Sequence, residues 1–113
     1  MVLQILRVIA GIATILTGAA SLFWPLKVLG FTGLEVSGGR GITEIRSVLG
    51  ALFIGLGGAV LYYNDPKVYQ TLGIMYLVMA VARGISMFVD DSVVSSNVIS
   101  FFIELFFGII LVL

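Results

Sequence analysis

A carboxylate in the middle of an apolar run is the first residue of chemical interest. Glu104 lies among Phe101, Phe102, Phe106 and Phe107 in the last long apolar stretch. On insertion scales a charged side chain at the centre of a membrane-spanning helix costs about 2.5–3.5 kcal/mol. Such residues are rare and face the interior of a helix assembly, where they pair with one another or serve a ligand or proton path. Arg83, late in the third apolar run, is the second such group. Glu44 and Arg46, at the head of the second run, are the others.

Depth brings these groups together. At a rise of about 1.5 Å per residue, Arg46 falls roughly 5 Å, Arg83 roughly 9 Å and Glu104 roughly 15 Å below the same membrane surface. The expectation is a polar cluster of Glu104 with Arg83 and Arg46, opening toward Asp90 and Asp91. Its chemistry has two main readings. A Glu–Arg pair inside a bundle can fix which helix faces which. It can equally form the polar end of a pocket for a small amphiphilic molecule. A proton relay fits less well, because one deep acid without histidine makes a poor relay.

The remaining polar residues have simpler readings. Glu44 fits a carboxylate at a helix N-terminus, favoured by the macrodipole. Arg7 fits a side chain that snorkels to the near interface. Asp90 and Asp91 fit a solvated turn. Tyr76 faces inward at mid-helix, where core packing is the default and a hydrogen bond to a ligand the alternative.

Composition sets the medium. Of 113 residues 60% are hydrophobic and 11% charged, against about 25% charged in an ordinary soluble domain. The mean hydropathy is +1.21. So few charges cannot coat a water-facing surface, and the partner of the outer surface is the lipid bilayer. The net charge of zero argues against a nucleic-acid partner. With no Cys and no His, disulfides, thiolate chemistry, iron–sulfur clusters and histidine-held zinc or haem are out of reach. No spacing of acids suggests a metal, and no cofactor is expected.

Four stretches are long enough to span a bilayer, which takes about 17–25 apolar residues. They run over about 2–24, 42–63, 68–89 and 93–113. The predicted fold is all-α, an antiparallel up-down four-transmembrane-helix bundle forming one domain over 1–113. Pro25 ends the first helix. Asp65 is placed to cap the third and Pro66 to sit at its first position. Asp90-Asp91-Ser92 breaks the third from the fourth, with Ser95, Ser96 and Asn97 as cap candidates. Residues 25–41 hold five glycines and read as an irregular interfacial loop. Phe23, Trp24, Tyr62, Tyr63 and Tyr69 form an aromatic belt at helix ends. The apolar run after Arg7 is longer than the core of about 7–15 residues in a cleaved leader, so the first span is expected to be retained. The basic residues are too evenly spread to set an orientation.

Small residues should form the helix contacts, since lipid supplies little hydrophobic drive between helices. In the second helix Ser47, Ala51, Gly55 and Ala59 recur every four residues, with Gly50, Gly57 and Gly58 beside them. The first helix carries a stripe of Arg7, Ala10, Thr14, Thr17 and Ser21. The third has Gly73, Tyr76, Ala80, Arg83 and Met87, and the fourth Asn97, Ser100, Glu104 and Gly108. The stripe of the second helix fits contacts within one copy or between copies in a homo-oligomer.

Order and spacing carry a resemblance. Glu44-Ile45-Arg46 followed by Gly50, Gly55 and Gly57, then Arg83-Gly84 leading to Asp90, then Glu104, is similar to a bacterial four-helix membrane protein family of unknown function, itself akin to DoxX-like proteins. Leu49-Gly50-Ala51 departs from that family, which often has an aromatic and two glycines there. The resemblance covers most of the chain, the first helix least. It implies a four-helix bundle in a bacterial cytoplasmic membrane, with Glu44, Arg46, Arg83 and Glu104 as the residues of interest. It supplies no reaction. The association of DoxX-like relatives with quinone-linked or redox-stress membrane complexes makes an accessory subunit conceivable.

Three functions follow, in order. The first is binding of a small amphiphilic or lipid-like molecule in an intrabundle pocket whose polar end is Arg83, Glu104 and Arg46, with Glu44 and Tyr76 as further candidates. The second is a structural or accessory subunit of a larger membrane complex. The third, a small membrane enzyme using Glu104, ranks lowest, since no nucleophile–base pair or phosphate loop supports it.

Overall fold

The computed structural model describes all residues, 1–113. The chain is all-α, without strands. Helix α1 spans Val2–Phe23, the short α2 Pro25–Thr32, α3 Gly39–Tyr63, α4 Pro66–Val89 and α5 Ser95–Val112. All but α2 are long and apolar enough to cross a membrane.

Local chemistry explains the breaks. Asp65 caps α4 by accepting a hydrogen bond from the Lys67 amide at 2.8 Å, and Pro66 opens the helix, where no amide donor is needed. Asn64 and Asp91 take positive φ angles of 49° and 50° at the two tight reversals, a conformation Asn and Asp tolerate better than most side chains.

Three features of the connections differ from the sequence reading. The stretch 25–41 is largely helical rather than irregular: Pro25 starts α2, and Gly33, at φ 75°, ends it in a left-handed cap. Helix α3 begins at Gly39, three residues before Ile42, and passes through a π-helical segment over Ile45–Ala51. At α5 no side chain caps the helix; Val94 holds the cap position, while Asn97 turns its amide to the Ser92 carbonyl at 2.9 Å.

The chain divides into two compact units, residues 8–63 and residues 1–7 with 64–113. In the first, α1 and α3 run antiparallel at glycine contacts. A Cβ on Gly18 would stand 2.5 Å from the Gly50 carbonyl oxygen, and one on Gly57 would stand 2.7 Å from that of Gly11. The contact face of α3 in this pair is thus Gly50 and Gly57, a spacing of seven. The every-fourth stripe is not: Ser47, Ala51 and Gly55 are exposed and Ala59 is half-buried. The π-helical turns at 45–51 change the angular phase that four-residue spacing assumes. On α1 the buried positions are Arg7, Ala10, Gly11, Thr14, Gly18 and Ser21. Gly18 stands in the series where Thr17 was expected, and Thr17 is exposed with its hydroxyl on the Ala13 carbonyl.

In the second unit α4 and α5 run antiparallel. Gly73 approaches Gly108 and Leu111, and Leu77 lies over Gly108. Tyr76 meets Phe107 edge to face at 5.7 Å, and Phe101 lies beside Gly84. The buried face of α4 includes Gly73, Tyr76, Ala80 and Met87. Phe23, Trp24, Tyr62 and Tyr63 are exposed near helix ends, in two edge-to-face pairs. Tyr69 departs from that belt: it is buried, with its hydroxyl donating to Asn64 at 3.0 Å.

Candidate functional site

The α4–α5 pair positions the polar site. Arg83 stands on the face of α4 that also carries Met79, Ala82 and Ser86, as spacings of three and four require. Glu104 and Gly108 are four residues apart on the buried face of α5. The glycine contacts bring the backbones close enough for Arg83 to reach across.

Arg83 donates from Nε to Glu104 Oε1 at 2.8 Å and from Nη2 to Oε2 at 2.9 Å. This bidentate fork is the strong, directional form of a carboxylate–guanidinium pair. Glu104 is 5% exposed, whereas the Arg83 side chain is 32% exposed. The carboxylate is therefore the floor of the site and the guanidinium its accessible edge. Nη1 donates to Asn97 Oδ1 at 2.9 Å. Asn97 thus receives from Arg83 and gives to Ser92, joining the ion pair to the α4–α5 connection.

That connection is itself bonded. Ser86 donates to the Asp90 carboxylate at 2.5 Å, and the Ser92 amide donates to the Met87 carbonyl at 2.9 Å. Beside it lies an open groove of about 330 Å³ lined by Met79, Ala82, Arg83, Ser86 and Asn97.

Glu44 and Arg46 belong to the other unit and sit differently from the sequence reading. Glu44 pairs with Arg40, one turn earlier on the same helix, and both are exposed. Because α3 starts at Gly39, Glu44 is no longer a first-turn carboxylate. Arg46 is exposed and its neighbour Ile45 is buried, since adjacent residues point in different directions around a helix. Tyr76 is buried, with its ring against Phe107.

Two residues take on more weight than their sequence reading gave them. Asn97, by its spacing a stripe residue and cap candidate, is the third member of the ion-pair network. Arg7 is 8% exposed, and its buried Nε has no hydrogen-bond partner. Six residues into a span, depth alone fits either outcome; the direction around the helix decides.

No group of His, Cys, Asp and Glu side chains is arranged to hold a metal ion. The chain belongs to the family described as a domain of unknown function, DUF4345, whose model matches residues 2–113. No curated protein and no solved structure matches it. Membership and the four apolar helices fit a small multi-pass membrane protein.

Proposed function

We propose that this member of the family binds the polar head of a small amphiphilic, lipid-like molecule at Arg83. One observation carries the reading. A guanidinium has five N–H donors; Arg83 places one each from Nε, Nη1 and Nη2, which leaves two, and Arg83 lines an open groove together with Met79 and Ala82. The Arg83–Glu104 pair is neutral as a unit. An uncharged head with carbonyl or hydroxyl oxygens suits it better than a second anion, which would face Glu104. An ion pair serving only to orient α4 against α5 would not require a third donor turned to Asn97 at the groove.

Native mass spectrometry from gentle detergent tests this, with wild type beside Glu104→Gln and Asn97→Ala. A reproducible bound mass in the wild type, reduced in both variants while helix content is kept, is expected. A bare wild-type chain, or equal retention in all three proteins, would count against it.

An accessory subunit of a quinone-linked membrane complex is the second reading. It rests on the resemblance of Glu44-Ile45-Arg46 and Arg83-Gly84 to DoxX-like proteins, as does a bacterial cytoplasmic-membrane location. Mild-detergent purification that repeatedly recovers the chain alone would sink it.

A further inference from the structure

A guanidinium removed from water without a counter-charge is costly, and intramembrane arginines pair or mark binding sites. Arg7 is such a group. It is 8% exposed, and its Nε is fully buried without a hydrogen-bond partner. The ion pairs of the structure, Arg40–Glu44 and Arg83–Glu104, do not include it.

The side-chain acceptors at the start of α4 are bonded to other groups. Asn64 Oδ1 receives Gln4 Nε2 at 2.7 Å and the Tyr69 hydroxyl at 3.0 Å, which fills both lone pairs of an amide oxygen. The Asp65 carboxylate accepts from the Lys67 amide and makes no ion pair with Arg7. Gln4, three residues before Arg7 on α1, bonds Asn64 at the reversal before α4, which places this end of α1 beside the start of α4. This end is about 21 Å along α4 from Arg83, from the rise per residue, so the group is separate from the Arg83 groove.

We infer that Arg7 is the cationic contact of a second binding site, one that takes a phosphate oxyanion. Three points carry it. Arginine's planar fork matches phosphate oxygens two at a time. Arg7 lies about 8 Å from the first residue of α1, within reach of lipid headgroups for a long side chain. The chain's own acids leave the charge uncompensated, and basic pockets between membrane helices characteristically hold anionic headgroups. The phosphate is that of a phospholipid head or free in solution.

The test uses the full chain in mild detergent as wild type, Arg7→Gln, Arg7→Lys and, as a control for general surface charge, Lys67→Gln. Phosphatidylglycerol is titrated by native mass spectrometry. Inorganic phosphate is added in a separate arm at constant ionic strength while Tm is read. One bound phosphatidylglycerol, weakened about tenfold or more in Arg7→Gln and unchanged in Lys67→Gln, supports the site with a lipid source. A Tm rise with inorganic phosphate that Arg7→Gln abolishes supports it with a soluble source. Equal lipid binding and equal phosphate response in wild type and Arg7→Gln overturn it. Should Arg7→Gln fail to fold, Arg7→Lys decides: several-fold weaker binding supports the fork, and unchanged binding and response overturn it.

Discussion

Gly73 of α4 faces Gly108 of α5 so closely that a Cβ on Gly73 would stand 3.0 Å from the Gly108 carbonyl oxygen and 2.8 Å from the Leu111 Cβ. This contact sets the separation at which Arg83 spans to Glu104. Glycine is required here for the approach of backbones, not for turn geometry, as is common where membrane helices pack through small residues.

Gly73→Ala should therefore destabilise the protein by about 1–3 kcal/mol, the usual cost of overpacking. Gly18→Ala should do the same, since its methyl would meet the Gly50 backbone. Gly58→Ala meets nothing within 4 Å and should be neutral or mildly stabilising, by up to about 1 kcal/mol from helix propensity. Thermal unfolding in detergent of the three variants checks the ranking. A Gly58→Ala loss as large as the other two would remove close approach as the cause.

Glu104→Gln leaves the guanidinium without its counter-charge and should cost about 1–3 kcal/mol, discounted because Arg83 is partly exposed. Arg83→Gln combined with Glu104→Gln should lose less than the sum of the single variants, because the double change leaves no stranded charge. Additive losses in the double-mutant cycle would mean that the two residues are not energetically coupled.

Asn97→Ala removes a bond to Arg83 Nη1 and another to the Ser92 carbonyl. Faster amide hydrogen exchange is expected across residues 90–97, with the middle of α4 unchanged. Unaltered exchange there would show that Asn97 does not hold the connection.

Asp65→Ala deletes the cap of α4 and should cost about 1 kcal/mol. Asp65→Ser should recover most of it, since a serine oxygen also accepts from the first-turn amides. Equal stability of the alanine and serine variants would argue against a capping role.

Much of the fold is legible in residue order because the physics is one-dimensional. Lipid permits only runs of about 20 apolar residues as spanning helices, and the four long helices follow from that count. Asp65-Pro66 declares a helix start through a cap oxygen and a missing amide. On α4 the seven-residue recurrence of Gly73, Ala80 and Met87, with Tyr76 between, marks the buried face, since no irregularity disturbs its helical phase. Glu104 and Arg83 draw notice by the cost of charge in lipid, which holds whatever the packing.

What the tertiary structure decided is direction around each helix axis. The π-helical segment at 45–51 has no apolar signature, yet it turns Gly50 and Gly57 to α1 and leaves Ser47, Ala51 and Gly55 outside. Arg7 could reach the interface by depth, and only its azimuth on α1 buries it. Asn97 could have capped α5, and instead the approach of Arg83 from α4 draws its oxygen into the ion-pair network. Composition reports how far along a helix a side chain lies; which neighbour it meets depends on rotation and on the distance between helices, and those are set by contacts between residues far apart in the chain.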